Sequence, residues 1–289
     1  MKNNLSKYHE VTQRGESTAS PLGDILLDSS LIITTNEKQL YDVKLINCGD
    51  YVQIYYLESP KIKSEKTQKE NNFKYIDTDN LKKVNNSNDN IEQKNIMRSK
   101  LQCQRLAKAN ANIWKTFITL TIAENLTDIN KANRRFRYFI DKIQRIYKDF
   151  KYICIPEFQK RGAVHYHLLT NINIDDERFI YKQVDKEKFK HIKYWNDGFT
   201  KVDNLEKDIK KIIGYISKYM TKDIDNRLYN HRRYFYSRNL IKPTINYLNL
   251  NEPKHLEYYL KTLNNKSLIY NNSYINSYNQ ELIKFNEFL

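Results

Sequence analysis

Between Phe117 and Asn171 the chain passes from a short β-branched segment into a long amphipathic helix, then into two segments separated by a few polar residues. No other feature constrains the fold as much. Phe117–Ile122, FITLTI, alternates in the manner of a strand. Over Asp128–Phe150, Ile129, Ala132, Phe136, Phe139, Ile140, Ile143, Ile146 and Phe150 recur at three- and four-residue steps, which predicts a helix with one buried side. Its other side carries Lys131, Arg134, Arg135 and Lys142. Tyr152–Pro156 and Ala163–Asn171 read as strands joined through Gln159-Lys160-Arg161-Gly162. That connection is too short for a crossover, so the two must pair antiparallel. A short strand is expected at Gly198–Val202 and a helix over Leu205–Asp223. The order strand, helix, strand, strand, helix predicts an α+β layer fold: an antiparallel sheet with helices packed on one face.

The flanks divide the chain further. Within residues 1–57, the run LYDVKLINCGDYVQIYYL (40–57) reads as two strands around a Cys48-Gly49-Asp50 turn, a small N-terminal hairpin unit. Residues 58–95 are expected to be a linker, because the Asn- and Lys-rich stretch 71–95 has too little apolar surface to offset the entropy of ordering. Residues 96–110 suit a helix carrying Arg98, Lys100, Arg105 and Lys108, and open a main domain over 96–225. Residues 226–289 form a basic, Tyr- and Asn-rich C-terminal extension with weak helical patterning at Glu252–Leu263.

Composition narrows the function. The formal net charge is +15, which favours a polyanionic partner through counterion release; an AT-rich genome would also enrich Lys, but the acidic residues do not balance the excess. DNA is therefore the expected partner, as origin duplex and as single strand. No GxxxxGK[ST] occurs and the chain holds only 6 glycines, so no phosphate-loop nucleotide site is expected. Cys48, Cys103 and Cys154 are far apart and lack CxxC spacing, against a disulfide framework or zinc ribbon. The polar N-terminus and the lack of a long apolar run predict a cytoplasmic protein with no membrane segment.

Two groups of residues carry chemistry. His165 and His167 flank Tyr166 on one predicted strand, so the imidazoles share a face and the phenol takes the other. Glu157 sits on the preceding strand or at its end, within reach if the two strands pair. Two imidazoles and a carboxylate leave coordination positions open, as a catalytic metal requires. The second group is Gly214-Tyr215-Ile-Ser-Lys218-Tyr219-Met-Thr-Lys222-Asp223. Leu205, Ile209, Ile212, Ile213, Ile216 and Met220 form an apolar stripe. Tyr215 and Tyr219 lie on its flank, with Lys211, Lys218 and Lys222 beyond them. A tyrosyl oxygen can attack a phosphodiester and retain the phosphate covalently. Lys218 and Lys222 are candidates to contact that phosphate.

FITLTI (117–122), the E-x-Q-x-R-G-A-x-H-Y-H run (157–167) and Y-x-x-K-Y-x-x-K (215–222) together resemble the three motifs of the HUH endonuclease superfamily. They look most like those of rolling-circle replication initiators from small single-stranded DNA phages and from plasmids of low-GC bacteria. Trp195-Asn-Asp-Gly198 resembles a W-x-x-G element of such initiators. The resemblance covers about residues 96–225. It implies an HUH, RRM-like nuclease domain in which His165, His167 and Glu157 hold Mg²⁺ or Mn²⁺, and Tyr215 and Tyr219 are paired nucleophiles. It further implies a 5′-phosphotyrosine intermediate, nicking of an origin and religation of the displaced strand to a circle. A host DNA polymerase and helicase in a bacterial cytoplasm would then be partners. Competing expectations are a transposase or mobilisation relaxase with the same chemistry, a non-catalytic DNA-binding regulator, and a metal hydrolase that uses activated water and forms no adduct.

Overall fold

The β-branched and alternating segments form two antiparallel sheets in the computed structural model, which describes residues 39–63, 88–159, 161–182, 190–205, 209–221, 231–276 and 279–289. In chain order the elements are β1 (Leu40–Cys48), β2 (Tyr51–Ile62), α1 (Asn88–Ala109), β3 (Thr116–Thr121), α2 (Ile129–Ile146), β4 (Tyr152–Phe158), β5 (Val164–Thr170), β6 (Ile180–Lys182), β7 (Lys190–Ile192), β8 (Thr200–Asn204), α3 (Ile209–Thr221), β9 (Phe235–Tyr236), β10 (Thr244–Leu248), α4 (Pro253–Leu263), β11 (Leu268–Ile275) and β12 (Leu282–Phe288). One sheet has the order β6-β7-β8-β3-β5-β4-β9 and the other β10-β1-β2-β12-β11.

The α+β class with an antiparallel sheet is as the sequence predicts. The helices, however, do not all lie on one face. α2 packs Phe136, Phe139, Ile140 and Ile143 on the side of Ile118, Leu120, Cys154, Val164, Tyr166 and Leu168. α1 and α3 cover the opposite side, where Cys103, Leu106, Ile212 and Ile216 meet Phe117, Ile153, Ile155 and Leu169. The physical reason lies in β5, whose seven residues are all buried: a strand buried on both sides needs a layer on each. α2 starts where Asp128 accepts hydrogen bonds from the backbone N–H groups of Asn130 (2.8 Å) and Lys131 (3.1 Å), an N-cap that satisfies two otherwise orphaned donors.

The predicted hairpin forms, with Gly49 turning at φ 72°, but it does not stand alone. β1 pairs with β10 and β2 with β12, so strands from beyond residue 226 complete its sheet. Of the segment 58–95, residues 64–87 lie outside the described residues; Glu58–Ile62 continue β2, and the helical backbone already begins at Asn88. α1 is tied to the five-stranded sheet by polar contacts. Arg105 donates to Gln53 (2.8 Å) and to the Tyr55 hydroxyl (2.6 Å), Gln53 donates to Glu287 (2.7 Å), and Lys108 pairs with Glu287.

The three cysteines are buried thiols. No helix among the described residues is long and apolar enough to cross a membrane.

Candidate active site

The register of three neighbouring strands builds the site. β5 pairs with β4 so that Glu157 lies opposite His165 and Ile155 opposite His167. On its other edge β5 pairs with β3, placing Thr121 opposite His165 and Thr119 opposite His167. Alternation separates the side chains as expected. Tyr166 enters the α2 layer, where its ring stacks on Phe136 at 4.6 Å and its hydroxyl donates to Asn133 Oδ1 at 2.8 Å; burial pushes its phenol well above the ordinary value. His165 and His167 face the α3 layer.

There the imidazoles meet the helix-borne tyrosines. The Tyr219 ring stacks on His167 with centroids 3.7 Å apart and planes 18° from parallel. Phe117 stacks on Tyr215 at 4.2 Å and lies 5.8 Å from both Tyr219 and His167, all nearly parallel. Ile212 and Ile216 anchor α3 in the core, which leaves Tyr215 and Tyr219 half-buried at its border and Lys218 exposed. The Lys218 ammonium is 5.3 Å from the Tyr219 ring centroid. Lys222 lies outside the described residues, and of Lys211 and Met220 only the backbone is described.

Glu157, His165 and His167 are each at most 9% exposed. His167 Nε2 is 2.6 Å from Glu157 Oε2, and its Nδ1 is 3.3 Å from Thr119 Oγ1. In a neutral ring with Nε2–H donating to the carboxylate, Nδ1 is the acceptor for the threonine hydroxyl. The donor set suits a divalent cation by type: two imidazoles and a carboxylate from adjacent strands. Its positions do not yet suit one. The two imidazole centroids are 6.2 Å apart, and no group of three or more His, Cys, Asp or Glu among the described residues stands arranged to hold a metal ion. Holding one requires Glu157 to turn from His167 and the rings to converge.

Two participants escaped the sequence reading. Phe117 is the platform that both tyrosines share, and Thr119 holds His167. The signal was present in FITLTI: residues 117, 119 and 121 share the face of the imidazoles once β3 is placed beside β5. The Trp195–Gly198 element is a clamp on the end of β3. Trp195 Nε1 donates to Thr121 O at 2.9 Å, Thr121 N to Phe199 O at 2.8 Å, and Ala123 N to Asp197 O at 2.8 Å.

Residues 115–224 match the family of ORF2-type replication-associated proteins. The match contains every candidate ligand and nucleophile. The Phasyl DNA replicon protein arp of Escherichia coli is 30% identical over 128 residues, which is 38% of this chain and 44% of that protein. The chain thus spans less than half the length of the curated relative it matches. No solved structure matches it. Over the segment that carries the site, this chain is similar to replication-associated proteins.

Proposed function

We propose that the chain acts in replicon replication as a DNA strand-nicking and strand-joining enzyme with a tyrosine nucleophile. The observation that carries the reading is the stacking of Tyr219 on His167, inside the segment similar to replication-associated proteins. An imidazole pair on a strand and a phenol pair on a helix face each other across one layer contact, and Lys218 borders them.

In this reading one phenolic oxygen bonds to phosphorus as it loses its proton to solvent. The 3′-oxygen of the cut bond leaves and takes up a proton, and the 5′-phosphate stays esterified to tyrosine. Lys218 steadies the phosphate, with Lys222 as its counterpart. Glu157, His165 and His167 would hold Mg²⁺ or Mn²⁺, whose charge would stabilise a phosphate oxygen. Phe117 fixes both phenols relative to His167. Two tyrosines on one platform suit two successive cuts: the 3′-OH released by the second attacks the first phosphotyrosine and closes a circle. Resealing then draws on the phosphotyrosine ester and needs no ATP. Origin nicking followed by extension from the 3′-OH would require a host polymerase and helicase. The acid–base chemistry and the adduct would be the same in a transposase or relaxase; the similarity to replication-associated proteins favours replication.

The test is a covalent adduct. The protein is incubated with Mn²⁺ and single-stranded oligonucleotides tiling its own replicon, then denatured and resolved by electrophoresis. Wild type should give a denaturation-resistant protein–DNA band. Tyr215→Phe combined with Tyr219→Phe should abolish it, as should His165→Ala. An adduct that survives in the double-Phe variant would defeat the assignment of the nucleophiles.

A further inference from the structure

On the side of the sheet away from the candidate active site, α2 shows solvent a face of one sign. Of its eighteen residues six are basic and only Asp141 is acidic. At 100° per residue, Lys131, Arg134, Tyr138, Lys142 and Arg145 fall in a strip about 80° wide, opposite the buried Ala132, Phe136, Phe139 and Ile143. All five are exposed, and Tyr138, at the centre of the strip, is 75% exposed. Arg135, just outside it, is committed to Glu124 and Asp197. None of the four strip cations forms an ion pair with a described residue; the Lys142 ammonium lies 5.1 Å from the Tyr194 ring centroid.

The cations come as two pairs. Lys131 and Arg134 lie near the start of α2, and Lys142 and Arg145 near its end. From Arg134 to Lys142 the helix rises roughly 12 Å, close to the width of about 12 Å of the major groove of duplex DNA. A helix laid across that groove meets a phosphate backbone at each end. A single strand offers one backbone, and its non-specific binding sites pair cations with several stacking rings; this strip has one.

We propose that the exposed face of α2 is a second DNA-binding surface that grips the phosphates of duplex DNA across one groove, while the opposite layer of the sheet handles the strand to be cut. The proposal rests on the reading of the chain as a DNA-processing protein. It adds that duplex and cut strand occupy opposite faces of one sheet.

The test uses the full chain and equilibrium binding to a duplex of about thirty base pairs of arbitrary sequence, followed by fluorescence anisotropy across a salt series. In the variant Lys131→Gln, Arg134→Gln, Lys142→Gln, Arg145→Gln, the slope of log affinity against log salt should become shallower by up to about 3.6, or about 0.9 for each phosphate no longer neutralised. The charge-preserving exchange Lys131→Arg, Arg134→Lys, Lys142→Arg, Arg145→Lys should keep the wild-type slope. An unchanged slope in the Gln variant overturns the proposal, and so does an equal loss of affinity for a single-stranded oligonucleotide of the same length. Because the readout is binding without cleavage, failure to form any tyrosine adduct would defeat the nuclease reading and leave this result intact.

Discussion

Gly198 is where a single methyl group should do the most harm per atom. A Cβ built there would run into Thr121 O, lie 2.6 Å from Ala123 N and lie 3.1 Å from Ile122 C. All three are backbone atoms of the segment that ends β3, so no side chain can swing aside. The 197–199 segment must move outward, and that breaks one or both hydrogen bonds that clamp it, Thr121 N to Phe199 O and Ala123 N to Asp197 O. Overpacking in a tight interior costs roughly 1–3 kcal/mol, and each broken hydrogen bond adds about 1 kcal/mol. Gly198→Ala should therefore destabilise the protein by about 3–4 kcal/mol. With a urea dependence of about 3 kcal/mol per molar for a chain of this length, the unfolding midpoint should fall by about 1 M. Thr121 lies opposite His165, so the displacement also reaches the imidazoles, and adduct yield should drop even where the variant is fully folded. A stability change below about 1 kcal/mol with wild-type adduct yield would show that the segment yields freely and that Trp195–Gly198 is no clamp.

Two other perturbations separate platform from cap. Phe117→Leu keeps apolar volume and removes the ring on which Tyr215 and Tyr219 stack; stability should fall by only about 1 kcal/mol, whereas the rate of adduct formation should fall tenfold or more, and a wild-type rate would refute the platform role. The backbone N–H of Lys131, assisted by that of Asn130 and by the Lys131 and Arg134 charges, holds the Asp128 carboxyl below its ordinary value of 3.8. A depressed carboxylate contributes stability that is present above its unfolded value and lost as pH falls through the folded one, so helical ellipticity measured through an acid titration should lose part of its low-pH limb in Asp128→Ala; an identical limb would show that the cap carries none of it.

The parts of the fold that were legible share one property: the burial that sets them is local. The period of α2 was readable because Phe136, Phe139, Ile140 and Ile143 face a single layer. The registry of the imidazoles with Glu157 followed from a turn too short to permit any other pairing. What could not be read depends on packing between residues distant in the chain. β12 carries Phe285, Glu287 and Phe288 into a sheet where its partner strand β2 lies more than two hundred residues earlier. β11 is exposed along its whole length, so no alternation marks it. The beginning of α1 at Asn88 was hidden because its first buried side chain among the described residues is Ile96; a helix can extend into polar sequence once a later turn anchors it. Gly198 matched a motif, but its role depends on the backbone of residues 121–123, and no spacing rule gives that proximity.

The placement of helices on both faces changes how the site must be understood. A one-sided layer would leave the imidazole face of β5 open to water. Instead α3 covers it, and the buried trio of Glu157, His165 and His167 reaches solvent past the rings of Tyr215 and Tyr219. The tyrosines therefore act as both wall and reagent. Since the side-chain period of a strand is two, slipping β5 by one residue would send Tyr166 toward α3 and both imidazoles into the apolar layer under α2. The turn before β5 opposes that slip: Gly162 adopts φ 95°, a conformation L side chains rarely take, while Gly162 N donates to Gln159 O and Gln159 N to Ala163 O at 2.8 and 2.9 Å. The glycine in the R-G-A-x-H-Y-H run is thus part of the chemistry at one remove, because it fixes which face of the sheet the histidines occupy.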